Sequence, residues 1–423
     1  MNSRTLRFWM LPAVLAAGFA LRLGFGLAHP PQKSGQDISN DDGYVELATS
    51  VAQSGTLRLG AEPSALREPV YPILLGLMFK AFGRSYPVVL LTNCGLAVLA
   101  LGWLFLGGRE LFGEAVALGA VAVSALYPPF VYYAAQTVRE TALLAVSAAA
   151  LWTLLRALNR PSARAFVWAG LCGALCGLTN TALLLFGLVL APLAIFWINR
   201  SRWTSAWRWS GIYTLAFVLL YSLWPLRNYL AFKTWIPGTT LSAATICYVY
   251  LIVPQELGGT AQETRILADD PVFQAAPQLP LGERDRYFRK AVLERIRLEP
   301  WRYAKLVGWR LFWDEWRLWP RQKAAGSSYR LFRWIGLLFN GWIIPLGLIG
   351  MIAARCRPRP VLCLYLFIFS IVMTYSLILT MLRYRTPIMP WLILFACFSL
   401  SRCLEAWKRW RGRNPPAMDP VRP

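Results

Sequence analysis

The sequence predicts an all-α polytopic membrane protein with about ten transmembrane helices and smaller helices on the outer face. Hydrophobic residues make up 57% of the 423 residues and only 15% are charged, against roughly 25% in a typical soluble domain. Apolar runs of about 17–21 residues recur along the chain, and each is long enough to cross a hydrocarbon layer about 30 Å thick. Charged residues lie mostly between these runs, which is the arrangement expected of membrane spans and their loops.

Ten apolar runs are the predicted spans. They cover residues 8–28, 86–106, 115–131, 140–155, 165–179, 182–198, 210–226, 331–353, 361–379 and 387–402. The run from Val70 to Gly83 is short for a full crossing and favours a re-entrant or interfacial helix. The first run starts like a signal peptide, but its apolar stretch is longer than a signal core and no small-x-small site follows, which favours an uncleaved span.

Basic residues set the predicted orientation, because short cytoplasmic loops are enriched in Lys and Arg. With ten spans, the Arg- and Lys-rich connections all fall on one side. These connections lie at 4–7, 109, 156–164, 200–208, 355–359 and 408–413. We therefore expect both termini in the cytoplasm and a multi-pass protein of a bacterial-type inner (plasma) membrane.

Acidic residues collect on the opposite side. No Asp or Glu lies between Glu140 and Glu256, or between Glu315 and Glu405, as expected where buried carboxylates are costly in lipid. Most acids fall in the first external loop, at Glu140 and in the long stretch at 227–330. Any acid-dependent chemistry is therefore predicted at the outer, extracytoplasmic face.

The topology divides the chain into three regions. Residues 1–230 form an N-terminal transmembrane module, with its first external loop at 29–85. Residues 231–330 form an extracytoplasmic region, and residues 331–423 form a C-terminal transmembrane module with a basic cytoplasmic tail. In the middle region, Phe288 and Val292 recur at helical spacing before Pro300, which predicts an amphipathic helix. The following "WRYAKLVGWRLFWDEWRLW" mixes Trp with basic residues and is typical of a helix in the headgroup region.

Several function classes are disfavoured by residue content. A net charge of +23 would indicate nucleic-acid binding in a soluble protein. Here membrane topology and anionic lipid explain the cations, so no nucleic-acid partner is expected. The one histidine, His29, ends the first span, and the eight cysteines form no CxxC pair, so histidine or cysteine metal sites are not predicted.

Paired acids follow the first span in "SNDDGYVELA", at Asp41 and Asp42. A carboxylate at this face can accept the proton of an acceptor hydroxyl. Glu140, in "YYAAQTVRET", is a third acid at the outer mouth of a span. The alternative is that Asp41 or Asp42 caps the helix that Tyr44 begins.

Cations near the same face are candidates for holding a phosphate, because fixed guanidinium groups stabilise a departing phosphate. These candidates are Arg67, Arg139, Arg227, Arg383 and Arg385, with Arg22 in the first span as a further one. Arg383 and Arg385 belong to a very short turn between the last two spans. For each of them the alternative is that the side chain only reaches lipid headgroups.

The ordered motifs resemble the GT-C membrane glycosyltransferases, specifically the polyprenyl-phosphate-sugar-dependent glycosyltransferase family 39, with protein O-mannosyltransferases and lipid A aminoarabinose transferases. The carrying features are "NDDGYVELATSVAQSG", "REPVYPILLGLMFKAFG", "WPLRNYLAF" and "LRYRTPIMPWLILFA". The resemblance implies a GT-C-type bundle, with a catalytic carboxylate in the Asp41–Asp42 pair, where Asp41 is favoured. It also implies a second acid at Glu140 and contact of Arg383 and Arg385 with a lipid phosphate.

The function implied by the resemblance is transfer of a hexose or pentose from a polyprenyl-phosphate donor to an acceptor hydroxyl, with inversion. The acceptor is a glycan, a lipid or a protein. No cofactor is expected, because such a donor has no pyrophosphate to neutralise, although a divalent cation on Asp41, Asp42 and Glu140 is the alternative. A transporter or flippase of a lipid-linked or anionic solute, or a scaffold, is a rival class. Transporters place ionisable groups near the midplane and show repeated halves, whereas here the predicted midplane lacks acids and no such repeat is detected.

Overall fold

The structure, a computed structural model, describes residues 3–30, 38, 42–251, 261–319, 329–355 and 360–413. Nearly all of the regular structure in these ranges is helical. The transmembrane and loop helices of the first half are α1 (Ser3–Ala28), α2 (Tyr44–Ser54), α3 (Val70–Phe82), α4 (Tyr86–Phe112), α5 (Glu114–Leu126), α6 (Pro128–Ala134), α7 (Glu140–Asn159), α8 (Ala163–Thr179), α9 (Ala191–Asn199), α10 (Trp203–Tyr221) and α11 (Leu223–Phe232).

The second half continues with the outer helices and the last spans. These are α12 (Ser242–Leu251), α13 (Ala261–Asp269), α14 (Pro271–Ala275), α15 (Leu281–Leu298), α16 (Pro300–Trp309), α17 (Tyr329–Ala354), α18 (Val361–Leu377) and α19 (Met389–Arg413). Short 3-10 helices lie at Thr181–Leu183, Ala276–Gln278 and Leu382–Arg385, and π-helical segments lie at Leu185–Leu190 and Arg310–Asp314. Two short strands, β1 (Arg58–Leu59) and β2 (Glu62–Pro63), pair antiparallel in the first external loop.

Each predicted span coincides with a helical segment, made of one helix or of consecutive helices. Within the described ranges, seven helical segments are long and apolar enough to cross a membrane, and the bent pair α5–α6 makes up to eight. The other two predicted spans are α8 and α18, which have 17 residues each and are slightly short for a perpendicular crossing. The fold is therefore the predicted all-α polytopic bundle, and the short apolar run at 70–83 is a 13-residue helix, α3, that packs on α2.

The bend between α5 and α6 has a chemical cause. The two helices meet at 57°, and Pro128 opens the second one, where a proline removes a backbone donor and ends the preceding helix. Arg22 of α1 donates to the carbonyl of Ala125 at 2.9 Å and to that of Ser124 at 3.3 Å. Arg22, a predicted phosphate ligand, is almost fully buried and makes these hydrogen bonds with backbone oxygens at the end of α5.

The outer helices form a small module beside the bundle. Phe288 and Val292 of α15 are buried against Ala243 and Cys247 of α12, which matches the predicted amphipathic spacing. The helix ends at Leu298, and Pro300 starts α16. The large apolar side chains of α16 and the segment after it, such as Trp313, remain exposed, as expected of an interfacial helix.

Glycines allow α17 and α19 to pack closely in the last part of the bundle. A Cβ atom at Gly350 would lie 2.1 Å from the backbone oxygen of Phe395, and one at Gly347 would lie 2.9 Å from that of Leu392. Such contacts are closer than van der Waals packing allows, so only glycine fits without separating the helices. This pairing positions the beginning of α19 and therefore the turn that precedes it.

We predict that Gly350→Ala destabilises the protein by about 1–3 kcal/mol, because the added methyl group overpacks the α17–α19 contact. Gly341→Ala in the same helix is the matched control, since a Cβ there meets nothing within 4 Å. It should be neutral or slightly stabilising, because alanine favours the helix. Thermal unfolding of both variants in detergent measures the difference, and equal melting temperatures would contradict this account of the packing.

Candidate active site

Asp42 is joined to two arginines from distant parts of the chain. Its Oδ1 accepts a hydrogen bond from Nη2 of Arg67 at 3.0 Å, and its Oδ2 accepts one from Nη1 of Arg383 at 3.0 Å. The Nε of Arg67 also donates to the backbone oxygen of Asp42 at 2.8 Å. Gly43, at φ 76°, turns the chain into α2 directly after this residue, a conformation that glycine adopts without strain. Asp41, the other acid of the pair, lies outside the described residues.

Glu140 is the second acid that faces Arg383. It is the first residue of α7 and is 5% exposed, and its Oε1 lies 3.9 Å from Nε of Arg383. Its Oε2 has no hydrogen-bond partner in the described part of the chain. Burial alone would lower the pKa of Arg383, but Tyr384, Glu140 and Asp42 outweigh it and raise that pKa above its usual value. One guanidinium therefore faces two carboxylates.

Arg139, next to Glu140, is paired with an acid that was not predicted. Its Nη1 bonds Oε2 of Glu68, a residue 5% exposed. The other oxygen of Glu68 accepts from the backbone N and Oγ1 of Thr181, at 2.9 and 3.0 Å. This pair links the first external loop to α7 and to the turn after α8.

The two arginines of the turn at Leu382–Arg385 point to different partners. Arg383 faces Asp42 and Glu140, whereas Nη1 of Arg385 donates to the backbone oxygen of Glu315 at 2.8 Å. Residues two apart in a 3-10 helix, which has three residues per turn, lie about a third of a turn apart. The turn therefore carries one cation toward the acids of the first external loop and α7, and one toward the segment after α16.

Glu315 is a buried acid that sequence reasoning also missed. It is 0% exposed, and neither of its carboxylate oxygens has a hydrogen-bond partner among the described residues. Burial raises its pKa to about 7, and Arg385 acts in the opposite direction. No sequence signal distinguishes it from the other acids of the outer region, because its burial results from tertiary packing.

Arg227 binds loop backbone rather than the carboxylates. Its Nη2 donates to the carbonyl of Leu57 and its Nη1 to that of Ser64, both at 2.8 Å. The backbone N of Thr240 donates to the neighbouring carbonyl of Ala65 at 3.0 Å. These bonds fasten the β1–β2 hairpin to α11 and to the segment after it, so Arg227 supports the loop that carries Arg67.

Aromatic side chains hold the arginine turn from the side of α18. The rings of Tyr375 and Tyr384 stack with centroids 4.4 Å apart and planes 5° apart. The hydroxyl of Tyr375 accepts from Nδ2 of Asn180 at 2.5 Å, and the guanidinium of Arg383 lies 5.3 Å from the ring centre of Tyr384. The turn is thus packed against the loop between α8 and the next span.

The described residues contain no group of three or more His, Cys, Asp or Glu side chains placed to hold a metal ion. Asp42 and Glu140 both face Arg383, and Asp41 lies outside the described ranges, so the divalent-cation alternative stays a prediction to be tested.

Chemically, the cluster combines a carboxylate for proton transfer with guanidinium groups for an anion. All of its residues lie at the end of the bundle that the charge pattern predicts to be external.

The bundle of membrane helices and the acid–arginine cluster at its mouth agree with what the resemblance to the GT-C membrane glycosyltransferases implies. Residues 63–224 match the family described as dolichyl-phosphate-mannose-protein mannosyltransferase. This match confirms the resemblance predicted from the sequence, and the likeness of solved structures confirms the GT-C-type fold. The matched segment includes Arg67, Arg139 and Glu140, whereas Asp42 and Arg383 lie outside it.

Solved structures share this fold over almost the whole chain. AglB, an archaeal oligosaccharyltransferase from Archaeoglobus fulgidus in complex with an inhibitory peptide and a dolichol-phosphate, matches with a TM-score of 0.62 and 15% identity, over 97% of this chain and 52% of its own. ArnT from Cupriavidus metallidurans bound to undecaprenyl phosphate matches with a TM-score of 0.54 and 16% identity, over 96% of this chain and 62% of its own. The chain thus spans about half to three fifths of their lengths, and at these identities the likeness concerns the fold alone. Among curated protein sequences, none matches this chain.

We predict that Glu315→Gln stabilises the protein at alkaline pH. Because the folded pKa is raised from 4.5 to about 7, the stability associated with protonated Glu315 is present below pH 4.5 and is lost as the pH rises through 7. Glutamine does not ionise, so the variant should gain up to about 3 kcal/mol over wild type at pH 8 and nothing at pH 4.5.

Melting temperatures of both proteins across pH 4.5–8 measure this effect. Glu62→Gln is the matched control, because Glu62 is exposed on β2 and its replacement should leave the pH dependence of stability unchanged. A Glu315→Gln gain that is the same at both ends of the pH range would show that the buried charge is not its cause.

Proposed function

We propose that the chain is a glycosyltransferase that moves a monosaccharide from a polyprenyl-phosphate-linked donor to an acceptor hydroxyl at the extracytoplasmic face, with inversion. The observation that carries the proposal is the position of Asp42 between Arg67 and Arg383, 3.0 Å from each. A carboxylate and guanidinium groups within one mouth are the two elements that the reaction needs.

In the proposed step, a carboxylate oxygen of Asp42 takes the proton of the acceptor hydroxyl. The acceptor oxygen forms a bond with the anomeric carbon of the sugar from the face opposite the phosphate. The bond between the anomeric carbon and the phosphate oxygen breaks, and its electron pair leaves with polyprenyl phosphate. Arg383 and Arg67 stabilise the negative charge of that leaving group, and the proton on Asp42 then passes to solvent.

We assign the base to Asp42 because its two carboxylate oxygens lie 3.0 Å from guanidinium nitrogens of Arg67 and Arg383. Asp41 remains the alternative, and parallel substitution of the two distinguishes them. Glu140 has the role of the second acid, which orients Arg383. Of the predicted phosphate ligands, we retain Arg67 and Arg383, since Arg139, Arg227 and Arg385 bond Glu68 and backbone carbonyls instead.

The polyprenyl-phosphate donor is supported by what the similar proteins are described to bind. ArnT is bound to undecaprenyl phosphate and AglB to a dolichol-phosphate, and the matching family is named after dolichyl-phosphate-mannose. An external site in a bacterial-type inner membrane is supported by the basic short loops at the opposite end of the spans. We propose a glycan, a lipid or a protein as the acceptor, as the sequence resemblance implies.

We predict that Asp42→Asn lowers the transfer rate by about 10²–10⁴, because general-base catalysis is lost while the amide keeps the shape of the side chain. The measurement is release of sugar from a purified polyprenyl-phosphate donor by the protein in nanodiscs, alongside Asp41→Asn. Glu62→Gln removes a charge from the same loop outside the cluster and should keep the wild-type rate. Wild-type transfer by the single Asn variants and by the double variant would contradict the proposed chemistry.

We further predict that exhaustive chelation leaves the transfer rate unchanged, because the proposed step uses guanidinium groups to neutralise the leaving phosphate. The measurement compares chelated protein with the same protein after Mg²⁺ or Mn²⁺ is restored. Loss of transfer that either cation restores would instead favour a hard cation held by the carboxylates.

A further inference from the structure

The proposed base and the proposed phosphate ligands are bonded to each other. Both oxygens of Asp42 accept hydrogen bonds from guanidinium groups, one from Arg67 and one from Arg383. Charge-assisted bonds of this kind are about twice as strong as neutral ones. A phosphate that binds to the same two arginines enters a cluster in which a carboxylate already neutralises them.

Among the described residues of the cluster, every cation already faces a carboxylate, which leaves none spare for that phosphate. The described ionisable groups of the cluster are three carboxylates, of Asp42, Glu68 and Glu140, and three guanidinium groups, of Arg67, Arg139 and Arg383. Arg139 is paired with Glu68, which is further fixed by Thr181. A phosphate therefore brings excess negative charge into a partly buried site, where like charges repel more strongly than in water.

The carboxylate that can give way is that of Asp42. Glu68 is fixed by three bonds and Glu140 is buried, whereas the Asp42 side chain is 18% exposed and lies in a loop directly before Gly43. We propose that Asp42 and the donor phosphate compete for Arg67 and Arg383, so that donor binding releases Asp42 to act as the base. This inference rests on the proposed function and adds an order of events to it.

The competition has a consequence for the end of the cycle. After transfer, polyprenyl phosphate remains on the two arginines, and its departure leaves them without an anion. Asp42 returns to Arg67 and Arg383 and replaces the phosphate there. The same residue thus takes the proton from the acceptor and promotes product release, and its removal should trap the product on the protein.

Binding of undecaprenyl phosphate to the full-length protein in nanodiscs tests the proposal. Asp42→Asn should bind undecaprenyl phosphate on the order of tenfold more tightly than wild type, through slower dissociation, because a competing charge is removed. Undecaprenol, which lacks the phosphate, should bind both proteins equally. Glu62→Gln removes one charge from the exposed hairpin of the same loop and should leave the affinity for undecaprenyl phosphate unchanged.

The outcomes separate this proposal from the function on which it rests. Equal or weaker binding by Asp42→Asn would overturn the competition, even if wild type binds the lipid and transfers sugar. Tighter binding with retained transfer would support the competition and overturn the assignment of Asp42 as the base. Failure of wild type and variants to bind undecaprenyl phosphate would overturn the donor class and the competition together.

Two more variants guard against a folding defect in Asp42→Asn. Asp42→Ser removes the same charge with a smaller side chain and should show the same gain in affinity. Adding Arg383→Gln to Asp42→Asn should cancel the gain, because the phosphate then lacks the guanidinium for which Asp42 competed. A gain that persists without Arg383 would overturn the proposal.

Discussion

The ion pair between Asp42 and Arg383 joins residues 341 positions apart and connects the two ends of the fold. Asp42 belongs to the loop after the first span, and Arg383 belongs to the turn before the last helix. Charges in a partly buried, low-dielectric mouth are costly unless they are paired. This pairing requirement therefore fixes where the loop lies on the bundle, and Arg67 and Glu68 extend the connection to α2, α7 and α8.

The arginine turn divides the outer end of the bundle into two electrostatic environments. On one side, Arg383 bonds Asp42 and faces Glu140. On the other, the buried Arg385 bonds the backbone oxygen of Glu315, whose carboxylate has no hydrogen-bond partner among the described residues. An acid whose pKa is raised to about 7 by burial reduces stability when it ionises. Costly buried groups concentrate at functional sites, and this one lies directly behind a turn that we assign to phosphate binding.

The sequence predicts the bundle well because membrane spans have a local signal. Each span is an apolar run, and the charge of its flanking loops sets the orientation without knowledge of tertiary contacts. The end of the bundle at which the cluster forms follows in the same way, since acids avoid the hydrocarbon layer. The helical break at Tyr127 is also local in origin, because Pro128 follows it.

The pairing of acids with arginines is not predictable from such local signals. Arg139, Arg227 and Arg385 resemble Arg383 in sequence, since all four lie at ends of apolar runs, yet they bond Glu68, loop carbonyls and the Glu315 carbonyl. These partners are chosen by contacts between residues 70 or more positions apart. Sequence reasoning can therefore name a set of cations at one face, but only the fold separates those that hold the scaffold from those that face the acids.

The outer helices are connected, through one buried side chain, to the segment that leads into the arginine turn. Arg310, at the end of α16, is buried and donates to the carbonyl of Val249 at 3.0 Å and to that of Ile378 at 3.3 Å. Val249 belongs to α12 and Ile378 follows α18, so this one side chain joins the outer module to the segment that leads into the arginine turn. A displacement of the module would thus act on Arg383 through a short stretch of chain. Under the proposed function, the position of the outer module is therefore coupled, through Arg310 and the segment after Ile378, to the position of Arg383, the proposed phosphate ligand.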